Sequence, residues 1–240
     1  MRRSLVGQQR NGDLIMSAEP RRVFVSGYDT RLGAAVRAHF AGQGAVTDGT
    51  TADVDHADRD AVRAAVASAV DTMGGIDTLV VAHGLPHVAP IGDESMRDFW
   101  RHVDDTLTGS FLYAQAVAEH MRDAGTGGRM VLTTSRWHVG GQSLAAVATA
   151  AGGIVALTKT LTRDFGAYGI GVNAVAIGAI DSEWSVCDAA AGVSCEAPPL
   201  GRCGTVEQAA RVIGLLCRPE LGAAVGQIVN VDGGLSRNRV

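Results

Sequence analysis

The sequence predicts an α/β fold built on an open, parallel sheet. Three stretches carry that prediction. Arg129 to Ser135 (RMVLTTS) is a short apolar run that delivers hydroxyls at its carboxyl end. A Gly-rich loop and an Ala-rich helix follow it, the helix with Ile154, Leu157 and Leu161 at helical spacing. Arg22 to Ser26 (RVFVS) runs into a turn bounded by Gly27 and Gly33, then a helix over 34–42. Thr78 to Ala82 (TLVVA) is a buried-strand pattern behind an amphipathic helix over 58–73, whose Val62, Ala65, Val66 and Val70 share a face. Open sheets of this kind bind ligands outside the carboxyl ends of their strands.

Composition bounds the rest. The chain has 240 residues, 46% of them hydrophobic, which suits one compact domain with a sizeable core. Residues 1–20 read as a flexible tail and 21–240 as the domain. The tail lacks the long apolar segment of a signal peptide, so a cytoplasmic protein is expected, starting at Met1 or Met16. A net charge of −4 with a single lysine, Lys159, argues against nucleic-acid binding. No apolar run reads as a membrane span. Cys187, Cys195, Cys203 and Cys217 form no Cys-x-x-Cys pair and have no histidine among them, so they read as thiols and no metal is expected.

In chain order, Ala45 to Asp48 (AVTD) is the second strand, and Asp48 stands where a carboxylate would hold an adenosine ribose. The alternative is a turn residue before Gly49. His83 and His87 follow a central strand, where a group that titrates near neutral pH suits proton transfer. Met96 to Arg122 reads as one long helix. Ser135 is followed by Arg136, Trp137 and His138. Strand 171–176, a short segment over 181–198 holding Trp184, an amphipathic helix over 206–217 and the ending Gln227 to Gly234 complete the chain.

These stretches together resemble the short-chain dehydrogenase/reductase (SDR) family over about residues 22–235. The motifs that carry the likeness are the Gly27–Gly33 turn, Thr106-Leu107-Thr108-Gly109, Ser135, Ala156 to Leu161, Pro199 to Arg202 and QIVNVDGG at 227–234. The resemblance implies a Rossmann-like doubly wound parallel sheet in a single domain. It also implies a four-helix oligomer seam, formed by the helix around Leu107 and the helix after Val147.

The departures from the family pattern shape the functional expectation. The family's catalytic tyrosine and lysine positions fall on Val147 and Ala151, and its relay asparagine on Thr106. The middle glycine of the phosphate turn is Arg31. Only six residues separate Asp48 from Asp55, so a second crossover helix does not fit and the β2–β3 region is shortened. Gly27, Arg31, Gly33 and Asp48 are the candidate cofactor ligands, with either no NAD(P) or weak NAD(P) binding expected.

Three functions follow from this pattern. The first is a non-redox enzyme doing cyclisation, dehydration or isomerisation on a small carbonyl-type metabolite. Ser135, His138, His83 and His87 would be its working groups, and Trp137, Val147 and Trp184 would line its pocket. The second is a catalytically inactive subunit beside a competent homologue. The third is an NAD(P)-dependent oxidoreductase with substituted acid groups. A homo-oligomer (dimer or tetramer) or a hetero-oligomer with a homologue is expected.

Overall fold

A computed structural model describes residues 20–194 and 196–236. The expected tail, with Met16, falls on 1–19 but for one residue; that stretch and Cys195 lie outside the described residues.

The elements run β1 (Arg22–Ser26), α1 (Arg31–Ala41), β2 (Val46–Thr50), α2 (Arg59–Met73), β3 (Thr78–Val81) and α3 (Met96–Val103). A π-helical turn (Asp104–Thr108), α4 (Gly109–Ala124), β4 (Gly128–Ser135), a 3₁₀ turn (Arg136–Val139), α5 (Ala145–Phe165) and β5 (Ile170–Ile177) follow. The chain then forms β6 (Ile180–Asp181), α6 (Ser185–Ala190), β7 (Gly204–Thr205), α7 (Val206–Leu216) and β8 (Ile228–Val231). Six strands pair in the order β2-β1-β3-β4-β5-β8, all parallel. This is the doubly wound, Rossmann-like sheet of the expectation, in a single domain.

The strands are apolar on both faces because helices cover both faces. Phe24, Leu79, Val81, Met130 and Leu132 pack with residues of α2, α4 and α5. Their neighbours Val23, Val25, Val80 and Val131 point the other way, onto α1 and α7. That period of two fixes the register of each strand. Helix starts are set by side-chain caps: Thr30 accepts from Gly33 N, Asp58 from Asp60 N, and Ser95 from Asp98 N.

The shortened region is real. After β2 the chain passes directly into α2, and β2 is the sheet edge. Three boundaries differ from expectation. Strand β2 runs through Asp48 to Thr50, so Asp48 neither ends the strand nor starts a turn. Helix α1 begins at Arg31 because Thr30 caps it. The long helix over 96–122 is broken by the π turn. Two expectations need correction: Cys203 is disulfide-bonded, so it is not a free thiol, and 145–168 is long and apolar enough to cross a bilayer by length and composition. The fold instead lays α5 along β4 and β5, which accounts for its apolar face.

Candidate functional site

The Gly27–Gly33 turn is built by its own packing. Gly27 has φ +67, and a Cβ there would overlap the His83 backbone. A Cβ at Gly33 would overlap the Gly27 carbonyl. Both glycines are therefore required whether or not a phosphate approaches. A helix N-terminus attracts anions, and at α1 that position is taken from within the chain. The Arg31 backbone N–H donates to Glu183 Oε1 at 2.7 Å, and the Arg31 guanidinium donates to Asp181 Oδ1 at 2.9 Å. Asp181's side-chain bond raises the Arg31 pKa further. Asp29 Oδ1 accepts from Ala52 N at 2.7 Å, tying the turn to the loop after β2. Asp48 lies mid-strand with Oδ1 on the Gly49 N–H at 2.8 Å. The strand end belongs to Thr50, whose hydroxyl is bonded to Tyr113. Asp48 is thus not at the strand end where a ribose partner would stand.

Ser135 ends β4, 2% exposed, and its hydroxyl accepts the Trp137 N–H at 3.2 Å. His138 is adjacent, but its Nδ1 donates to the Ser135 carbonyl at 3.0 Å rather than meeting the hydroxyl. Arg136 crosses over Gly178, where a Cβ would collide with its side chain. Its Nε donates to Asp188 Oδ1 at 2.9 Å, and both side chains are only 9% exposed. Asp188 also accepts from Trp137 Nε1 at 3.1 Å and from Ala179 N at 2.7 Å. The Arg136 guanidinium lies 4.0 Å from the centre of the Trp137 ring. Trp137, Val147 and Trp184 do converge, with Leu144, Cys187 and Val88, in one packed apolar cluster. Trp184 reaches across to Gly84, just past the end of β3. The carboxyl ends of β3, β4 and β5 are thus covered by this chain's own side chains.

His83 points into the fold. It is 1% exposed, and both ring nitrogens are engaged, Nδ1 with the Ser26 hydroxyl at 2.8 Å and Nε2 with the Asp105 carbonyl at 2.9 Å. A carbonyl only accepts, so Nε2 carries a proton. Burial, then the neighbouring His56, pushes its pKa down to about 3. His56 stacks on it with ring centres 4.0 Å apart and bonds the Tyr113 hydroxyl at 3.0 Å. His83 therefore ties the carboxyl ends of β1 and β3 to the π turn from inside the fold.

His87 sits elsewhere, on a cavity of about 550 Å³ with Asp55, Ala57, Leu85, Arg101 and Asp105 in its wall. Its Nε2 pairs with Glu94 at 2.9 Å. Burial, then the Asp55 charge, pushes the Asp105 carboxyl up to about 6. Burial also holds His102 down to about 4. The four expected working groups thus divide among three places: Ser135 with His138, His83 in the interior, and His87 on the cavity. Sequence reasoning missed Glu183, Asp188, His102 and Asp105. The Asp104-Asp105 pair inside an apolar helix was the available signal for the last.

Comparisons with known proteins agree with this fold. The family model described as "Enoyl-(Acyl carrier protein) reductase" matches residues 16–236. The "Short-chain reductase protein NovJ" of Streptomyces niveus is 34% identical over 187 residues, covering 72% of this chain and 70% of that protein. The gluconate 5-dehydrogenase of Gluconobacter oxydans is 29% identical over 191 residues, covering 78% of this chain and 75% of that protein. The crystal structure of levodione reductase superposes with a TM-score of 0.82 at 24% identity, over 90% of this chain and 97% of the other. The chain belongs to the short-chain dehydrogenase/reductase family.

Proposed function

We propose that this chain is a non-catalytic subunit that assembles with a competent member of its own family. The observation that carries the reading is the filled cleft: Glu183 on the α1 N-terminus, Arg136 over Gly178, and Trp184 against Gly84. The residues at this cleft do not fit a dinucleotide. A pyrophosphate would meet the carboxylates of Glu183 and Asp181 where it needs bare N–H groups. Val147 and Ala151, both buried, supply neither a phenol nor an ammonium for proton transfer. The helix seam is spared by comparison. Phe111 stands 42% exposed on α4, and α5 carries small residues along its length.

Native mass spectrometry of the tagged chain, purified from its source cells, tests the reading. The expected mass is that of a mixed assembly with a second SDR chain, and the isolated chain should show no NADH or NADPH turnover. A homo-oligomer whose properties do not change when the competent relative is added would overturn the proposal.

A second reading is favoured by the cavity at His87. In it the chain performs non-redox proton transfer on a small carbonyl-type metabolite, with His87 or Asp105 as the base. Incubating the protein with ketones in deuterated water, and following α-proton exchange by NMR, tests this. No exchange above that of a protein-free control would eliminate it.

A further inference from the structure

Residues 196–203 form a strap between α6 and β7 that has little of its own to hold it. The strap contains no helix or strand, and Pro198 is its only buried residue. Leu200 stands 69% exposed. Its ties to distant parts of the chain are slight. Pro198 and Pro199 lie against Gly233 and Gly234, and the Leu200 N–H reaches the Gly233 carbonyl at 3.4 Å. The two-residue strand β7 that follows pairs with β6 alone, and the Gly204 N–H donates to the Ala179 carbonyl at 2.8 Å. A segment with so few buried contacts opens locally at low free-energy cost.

A covalent tie offsets this. Cys203, at the end of the strap, is disulfide-bonded. It is half-buried and stands on the wall of a cavity of about 240 Å³. Accessible bridges are the ones that reductants reach and that serve regulation. Cys187 and Cys217 differ: both are buried free thiols, and burial pushes each up to about 12. Exchange needs a thiolate, so neither competes for the bridge near neutral pH.

We propose that the Cys203 disulfide is a redox latch: oxidised, it holds the strap and β7 against β6, and reduced, it lets both lift while the sheet and α6 stay in place. In the opening step the S–S bond takes up two electrons and two protons and becomes two thiols. A dithiol reductant gives up both and closes its own disulfide. Helix α6 stays because Asp188 binds Arg136, Trp137 and the Ala179 backbone, none of which belongs to the strap. Strand β6 loses its only strand partner, and it carries the Asp181 that pairs with Arg31. The latch therefore reaches the start of α1. The proposal goes beyond the subunit reading and does not rest on it.

Limited trypsin digestion of the full chain, followed by peptide mass, tests it. One sample stays oxidised; the other is reduced with dithiothreitol under native conditions and capped with iodoacetamide. Cleavage after the exposed Arg202 should be about tenfold faster in the reduced sample, because cleavage tracks the open population. Cleavage after Arg163 in α5 and Arg211 in α7 should keep its rate. Capping should mark Cys203 and spare Cys187 and Cys217. Cys203→Ser should be cut fast after Arg202 with or without reductant, and circular dichroism checks its folding; the native chain carries the test should that variant not fold. Equal cleavage after Arg202 in the oxidised and reduced chain overturns the proposal. So does a bridge that dithiothreitol leaves intact in the folded chain. Acceleration at all three arginines also overturns it, because the bridge would then be a staple for the whole fold.

Discussion

Glu183 Oε1 accepts a 2.7 Å hydrogen bond from the backbone N–H of Arg31, the first residue of α1. The residues lie 152 positions apart in the chain, so only the folded protein brings them together. A carboxylate at a helix N-terminus is favourable for the reason a phosphate would be: the unpaired N–H groups carry partial positive charge. Asp181 adds a second carboxylate on the Arg31 side chain. The chain thus supplies its own anion at the place where its fold would otherwise recruit one.

The first prediction follows from that contact. The chain as it stands should give no saturable NADH or NADPH binding by fluorescence titration. The Asp181→Asn/Glu183→Gln double variant should bind inorganic pyrophosphate roughly two- to fivefold more tightly, in line with modest helix-terminus effects at exposed sites. Equal pyrophosphate affinity in both proteins would show that the carboxylates do not compete.

Asp188 fixes the α6 segment over the sheet. It accepts hydrogen bonds from Arg136, Trp137 and the Ala179 backbone, and the ion pair is almost fully buried. Removing one partner of a buried pair leaves an uncompensated charge, which typically costs about 3–5 kcal/mol. Asp188→Ala should therefore lower urea-unfolding stability by roughly that amount. Arg136→Met, which leaves the Asp188 carboxylate buried without its cation, should cost a comparable amount, and the Arg136→Met/Asp188→Ala double variant less than the two single losses added. A loss below about 1 kcal/mol for Asp188→Ala, the range of exposed pairs, would refute the clamp.

How much of this was readable beforehand depends on the range of the interaction. The alternation in β1, β3 and β4 is local, and it gave the sheet and its two-faced core correctly. The spacing from Asp48 to Asp55 is also local, and it announced the missing crossover. The extent of β2 beyond Asp48 was not readable, because parallel pairing with β1 carries it to Thr50. The direction of His83 was not readable either. It depends on Ser26 and the Asp105 carbonyl, donated by separate elements. Arg136 and Glu183 read as loop residues for the same reason. Their partners lie 52 and 152 positions away. Trp137, Val147 and Trp184 were expected to line a substrate pocket, and they pack together in one apolar cluster.

Three neutral histidines should make the fold acid-labile. Burial is the leading cause that lowers His83 to about 3 and His56 and His102 to about 4, against an ordinary value of 6.5. Folded pKa values below the unfolded value mean stability that is present above pH 6.5 and lost as pH falls toward 4. Asp105 opposes this over the same window, because its folded carboxyl is already protonated near pH 5. Three protons taken up on unfolding against one released leave about two, or roughly 3 kcal/mol per pH unit near pH 5. Urea midpoints measured from pH 7 to 4.5 should fall steeply. A flat profile over that range would mean that the rings are hydrated or charged in the folded chain.

Asp105→Asn isolates the opposing contribution. The carboxyl is raised from 3.8 to about 6, so the folded chain pays for its ionisation as pH rises through that value. Stability from this group is fully present below pH 3.8 and lost above about 6. The amide never ionises, so the variant should be more stable than the parent at pH 8 and no more stable at pH 3.5. The site is partly open to solvent, and allowing for screening the gain at pH 8 should be about 1–2 kcal/mol. Burial is the larger cause and the Asp55 charge the smaller. Asp55→Asn should therefore reproduce only the smaller share of that gain. A variant that is equally destabilised at both pH values would show that Asp105 is held by packing rather than by its charge.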